Sequence, residues 1–427
     1  MCTAFPFGTG PVATTHGRLG RYAPVTDRSR LRSNGHEPTQ NLGAIMSTKG
    51  RLYFLDNLRT FLIFLVVLLH AGIVYESSGL GALFWIVDDP STSDLPGLLN
   101  LMLDIFVMFT IFFISGYFAP GSLERKGGWQ FLKAKFRRLM VPWVLAVFTL
   151  MPLYKVIFLY SRGLPQDHWT TYFHFSNGIL GMSWLWFLPV LFLFDGLYLL
   201  LSKLNLPTDK LTLNRAVAAV FVLGFGYSAA LSALHWIGWT NTPLIDFQNE
   251  RLLPYFLVFL LGSLCYRKKI FDTDERNMKL YIAVNATAWI PMNIYVVVLL
   301  NFFLRPGKYF FSENADLLLL WFGFYLSLLS LVYCAVTTFK YYFNRKGRLG
   351  GALSKLSFNV YIIHIMVMGP IALGLLKTDI PALLKYPILA LTTYVGSNLL
   401  VYAYTKTVEN LTAKSRLKKT SAEACKV

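Results

Sequence analysis

The sequence predicts an all-α fold, a polytopic transmembrane bundle of about ten helices with both termini in the cytoplasm. Three observations predict it. The 427 residues are 55% hydrophobic and only 15% charged, where a typical soluble domain is about 25% charged. Apolar runs of about 20 residues, each long enough to cross a bilayer, recur along most of the length. The 40 Lys and Arg residues are concentrated between these runs, on every second connecting segment.

Ten spans follow in order, near residues 54–75, 98–119, 139–160, 183–202, 216–237, 252–266, 280–304, 315–338, 357–376 and 386–405. The sixth is short, and the fifth and seventh contain Gly or Pro. The connections are short, so successive helices should run antiparallel. Segments 1–52, 120–138, 203–215, 267–279, 339–355 and 406–427 hold 32 basic residues, and the five intervening segments hold 6. Arg59 and Lys155 lie within spans. Basic loops mark the cytoplasmic side. One span more or fewer would destroy the alternation. Segment 76–97, with Glu76, Asp88, Asp89 and Asp94 and no basic residue, becomes the first external loop.

A net charge of +18 would suit nucleic acid if it were clustered on a soluble face. Spread over inner loops it excludes nucleic acid and instead suits membrane lipids or a phosphorylated ligand. Cys2, Cys265, Cys334 and Cys425 share no metal-ligand spacing, so neither a disulfide framework nor a metal site is expected. Residues 1–45 are polar and lack the apolar core of a signal peptide. They read as a disordered tail, or as sequence upstream of a start at Met46. Residues 46–405 form the membrane domain and 406–427 a basic cytoplasmic tail.

The first span carries the chemistry. In LDNLRTFLIFLVVLLHAG, Arg59 and His70 are eleven residues apart. Eleven helical steps make three turns plus about 20°, so both side chains share a face with about 16 Å of rise between them. Ionisable groups are costly in hydrocarbon and mark functional positions. His364 is the other histidine well inside a span, and Ser357, Tyr361 and His364 recur at helical spacing on one face. Asp104 and Asp195 lie within spans two and four, where either could orient His70 or bridge helices. Ser115 and Gly116 suit close helix approach. Asn285, Asn293 and Asn301 read as packing contacts. His168, His174 and His235 read as solvated external residues. Trp169, Trp184, Trp186 and Trp236 fit an interfacial belt, with Trp184 and Trp186 also able to stack on a sugar.

Six segments in order then resemble the acyltransferase-3 family of membrane-bound O-acyltransferases. They are the Arg59–His70 opening, FFISGYF at 112–118, KAKFRRLMVPW at 133–143, SWLWFLPVLFLFDGLY at 183–198, RLLPYFLVFLLGSLCYRKK at 251–269 and SFNVYIIHIMV at 357–367. The opening is also similar to the branch linked to succinylation of periplasmic glucans. The chain departs from many members at Phe109 and Thr110, where they carry an acid before FF-x-x-SG, and at the fourth span, where some carry an acidic pair.

The resemblance implies transfer of an acyl group from cytoplasmic acyl-CoA, as acetyl-CoA or succinyl-CoA, to a hydroxyl of a glycan or lipid-linked acceptor, in a bacterial inner membrane and without a metal. It makes His70 the catalytic residue, with Arg59 its motif partner. Acyl transfer needs a base for the hydroxyl, and a neutral imidazole suits that role. Arg59 remains protonated, so it either holds the phosphates of CoA or pairs with Asp56 at i−3. Arg137 and Arg138 at the cytoplasmic mouth of span three are expected at the CoA phosphates, with Ser357, Tyr361 and His364 also expected at donor or acceptor. Arg345, Lys346 and Arg348 are a weaker case for phosphate contact. The rival reading is a proton-coupled transporter or exporter with His70 and Asp104 in a relay.

Overall fold

The structure, a computed structural model, describes residues 52–77, 85–166, 168, 182–204, 210–273 and 275–424. The expected disordered tail with its Met46 start, Trp169, His174, Cys2 and Cys425 lie outside the described residues, as does the Arg348 side chain. The fold is all-α apart from one short hairpin. Helices run α1 (Tyr53–Tyr75), α2 (Asp94–Asp104), α3 (Val107–Lys126), α4 (Gly128–Ser161), α5 (Phe187–Ser202), α6 (Leu213–Ala233), α7 (Asn249–Arg267), α8 (Met278–Thr287), α9 (Trp289–Leu304), α10 (Glu313–Tyr342), α11 (Arg348–Leu376) and α12 (Ala382–Ala424). The hairpin pairs β1 (Trp239–Asn241) with β2 (Asp246–Gln248).

Each of the ten expected spans coincides with helix. The second is broken between α2 and α3, and the seventh between α8 and α9. Among the described residues, eight helical stretches are long and apolar enough to cross a membrane. The other two expected spans are α7 and α12, which polar residues hold below that measure. Helix direction decides for α7. Asn57 contacts the carbonyls of Phe343 and Arg345, Arg59 contacts Ser354, and His70 contacts His364. Helices α1 and α11 therefore run parallel. Parallel spans require an odd number of crossings between them, and without α7 the number would be six. Helix α7 in turn runs parallel to α3, with Tyr255 at Phe109, Gly262 at Phe113 and Tyr266 at Gly121. Both pairs agree with the expected alternation.

The α3–α7 contact shows why Gly116 is small. A Cβ there would lie 1.9 Å from the Phe259 carbonyl oxygen, and one on Gly262 would lie 2.1 Å from that of Phe113. Backbone cannot move aside as a side-chain tip can, so these helices touch main chain to main chain. Gly116→Ala should cost about 1–3 kcal/mol or more through overpacking. A lower thermal midpoint in detergent would register it, and an unchanged midpoint would contradict the packing. Gly127 joins α3 to α4 at φ 72°, a left-handed value that glycine adopts without strain. Asn285, Asn293 and Asn301 bond to carbonyls of Tyr281, Trp289 and Lys308 within or just beyond their own helical segment, and so do not cross between helices as expected.

Candidate active site

His70 and His364 meet between α1 and α11. His70 Nδ1 lies 2.8 Å from His364 Nε2, with the ring planes 9° apart. His364 Nδ1 lies 2.7 Å from the Tyr361 carbonyl oxygen. That carbonyl can only accept, so His364 Nδ1 carries a hydrogen. In the neutral ring, His364 Nε2 then bears the lone pair and accepts from His70 Nδ1–H. His70 Nε2 is left as the unprotonated nitrogen of the neutral pair. The end of the chain thus sets the tautomer at its beginning, as a carboxylate does in a catalytic triad. His364 is fully buried, whereas His70 is partly open.

The structure decides between the two roles open to the intramembrane carboxylates. Neither intramembrane carboxylate orients His70: Asp104 pairs with Arg251 at 2.5 Å and Asp195 with Lys135 at 2.7 Å. Each links two helical elements, and the imidazole of His364 takes the orienting place. Ser357 and Tyr361 share the face of His364 but are engaged elsewhere. Ser357 Oγ donates to the Ser354 carbonyl at 3.0 Å, and the Tyr361 hydroxyl donates to the Trp184 carbonyl. Both hydroxyls thus bond to backbone carbonyls, Ser357 within α11 and Tyr361 across to Trp184.

Trp85 covers the base. The Trp85 ring lies 4.8 Å from the His70 ring, tilted by 35°. Arg162 Nη2 donates to the Trp85 carbonyl at 3.0 Å. Burial draws the Arg162 pKa below its ordinary value, and the charge of Asp88 opposes that shift. Further along the loop, Lys385 at the start of α12 pairs with Asp89 at 2.9 Å, both almost wholly buried. Trp184 is interior rather than interfacial, because its Nε1–H donates to the Ile362 carbonyl at 2.9 Å. Trp186 packs on Trp239 and Tyr255, whereas Trp236 is exposed as a belt residue would be. On the same outer side, Asp246 accepts from the backbone N–H of Met182 and of Thr242, and burial raises its pKa. His168 and His235 are exposed, as expected.

At the opposite end of α1, Arg59 Nη2 donates to Ser354 Oγ at 2.8 Å and lies 3.3 Å from Asp56. The expected pair with Asp56 is present, and Ser354 adds an anchor on α11. Exposed Arg138 lies 6.0 Å over the Phe358 ring, one turn further along α11. Arg137 is exposed beside it. Below Arg59, a cavity of about 360 Å³ is lined by Phe54, Phe271, Arg276, Lys340, Tyr341 and Arg345, among others. Arg276 and Lys340 donate to the carbonyls of Tyr341 and Thr273. Lys346 is exposed and outside that lining. Sequence reasoning missed Arg276 and Lys340. They read there as topology-setting charge, and only the convergence of α1, α10 and the loop after α7 sets them around one cavity. Among the described residues no three His, Cys, Asp or Glu side chains gather as for a metal.

The family model described as an acyltransferase domain matches residues 52–402, most of the chain. The chain belongs to the acyltransferase-3 family. Its relatives include the glucans biosynthesis protein C of Salmonella paratyphi A, Salmonella agona and Salmonella dublin, each 26% identical over 261 residues. These matches cover 56% of this chain and just under two thirds, 66%, of each relative. No solved structure matches. Family membership and the helix bundle together make this a multi-pass membrane protein carrying an acyltransferase-3 domain. Within the acyltransferase-3 domain the opening Arg–His motif presents both side chains to α11, Arg59 at Ser354 and His70 at His364.

Proposed function

We propose that the protein is an integral membrane O-acyltransferase that moves an acyl group, acetyl or succinyl, from cytoplasmic acyl-CoA to a hydroxyl of a glycan or lipid-linked acceptor. His70 is the general base. The observation that carries this reading is the chain from His70 Nδ1 through His364 to the Tyr361 carbonyl, which leaves His70 Nε2 to receive a proton. The acceptor oxygen attacks the thioester carbonyl carbon as its proton passes to Nε2. The tetrahedral adduct collapses, the C–S bond breaks, and the CoA sulfur takes the proton from the imidazolium. Positive charge on His70 during the step is shared with His364 and the carbonyl dipole behind it.

The donor approaches from the cytoplasmic end. Its phosphates face Arg138 and Arg137, with Arg59 one turn of α11 further from the base. The cavity lined by Arg276, Lys340 and Arg345 suits the nucleotide end, because cations meet phosphates and aromatic rings meet adenine. Arg345→Ala should raise KM for acyl-CoA about tenfold, or ~1.4 kcal/mol, and leave kcat unchanged. A raised KM for the acceptor alone would place the nucleotide elsewhere. The name of the Salmonella relatives makes a glucan the first acceptor to try.

Purified protein supplied with labelled acyl-CoA and a glucan extract should transfer label, and His70→Ala should abolish the transfer. Full transfer by that variant would end the assignment. Acceptor flux across vesicles without consumption of acyl-CoA would instead favour a transporter.

A further inference from the structure

We propose that the indole N–H of Trp85 is a catalytic hydrogen-bond donor to the thioester carbonyl oxygen, stabilising the oxyanion of the tetrahedral adduct formed beside His70. The proposal rests on the reading of His70 as the base. It starts from an unfilled bond. Trp85 is 8% exposed, and its Nε1 is buried with no acceptor in reach. Trp184 and Trp321 show the ordinary arrangement, with Nε1–H donating to the Ile362 carbonyl at 2.9 Å and to Ser232 Oγ at 2.8 Å. Buried indole N–H groups normally find such a partner. Trp143 Nε1 is also buried and unbonded. It lies eleven residues before Tyr154, about 16 Å along α4, and Tyr154 is the residue that packs edge-on against Trp85.

Two further observations point to a ligand here. The Trp85 ring rests on the His70 ring itself, so the indole borders the space beside the base. The neighbouring polar groups are also unfilled. Tyr75 Oη and both side-chain polar atoms of Asn100 are buried without partners. Asn100 lies against Gly72, two residues beyond His70. The donor is also held in advance of the reaction: Arg162 grips the Trp85 carbonyl and Lys385 grips Asp89 four residues on. Preorganised donors of this kind act without reorganising as charge develops.

As the acceptor oxygen bonds to the thioester carbon, the C=O π pair moves onto oxygen and Trp85 Nε1–H bonds to it. The acceptor proton goes to His70 Nε2. Collapse returns the pair to C=O, expels the CoA sulfur and releases the hydrogen bond. No oxidant or further reactant is required.

Trp85 replaced by 3-benzothienylalanine keeps the ring shape and the stacking but has sulfur in place of N–H. The expected result is a fall in kcat of about 10²-fold, with KM for acyl-CoA and glucan within about twofold and the thermal midpoint unchanged. Trp85→Phe should lose at least as much. Wild-type kcat in the benzothienyl protein, or an effect confined to KM, overturns the proposal. His70→Ala assayed in parallel separates the two readings. An inactive His70→Ala beside a fully active benzothienyl protein removes only the indole donor. A fully active His70→Ala removes the base.

Discussion

His364→Phe should reduce kcat by about 10²–10⁴-fold while leaving KM for acyl-CoA near its wild-type value. The phenyl ring fills the same buried space but accepts no hydrogen bond. His70 Nδ1–H, now 2.8 Å from His364 Nε2, would lose its acceptor, and the ring would be free to move its hydrogen to Nε2. In that tautomer the nitrogen facing substrate cannot take a proton. His364→Gln separates orientation from packing, because its amide oxygen can accept from Nδ1–H. It should restore about tenfold or more of the activity lost in the phenylalanine variant. Equal activity in the two variants would show that His364 only fills space. Steady-state kinetics on the purified protein, with folding checked by thermal midpoint, decides between them.

Lys385→Met should destabilise the protein by about 3–5 kcal/mol. Asp89 and the Lys385 ammonium are 1% and 2% exposed, 2.9 Å apart. Removing the lysine strands a carboxylate in a low-dielectric interior, where desolvation is no longer offset by its counter-ion. The backbone N–H of Ser91, which donates to Asp89 at 2.9 Å, is too little compensation alone. Replacing both partners, Asp89→Leu with Lys385→Met, removes the stranded charge and should recover most of the loss. A double-mutant cycle of thermal midpoints measures the coupling, and a Lys385→Met midpoint equal to wild type would refute it. Transfer activity should fall in parallel, since this clamp holds the loop that lays Trp85 on His70.

Much of this was legible in the chain and some was not, for reasons that can be named. The spans were legible because hydrocarbon imposes a length and a composition on each crossing, and the alternation of Lys and Arg recorded their direction. Helix α7 was harder. Asn249, Glu250 and Arg251 at its start lower its apolar character, and those residues are buried by partners on other helices. His70 and Arg59 were legible as a pair because both lie on one helix, where spacing alone sets the face. The partner of His70 was not. A carboxylate at Asp104 or Asp195 was as chemically reasonable as His364, and 294 residues separate the two histidines. The same limit hid the cavity of Arg276, Lys340 and Arg345, whose members come from three separate stretches of chain.

By itself the sequence determined an inside-to-outside order of helices, the family, and one imidazole placed at membrane depth, because local periodicity and solvent exclusion act residue by residue. Tertiary structure alone decided which side chain orients that imidazole, which nitrogen is left to accept a proton, and which aromatic covers it. Those depend on distances of about 3 Å between helices remote in sequence, and a hydrogen bond of that length is set by the packing of the whole bundle, not by spacing along any one strand of it.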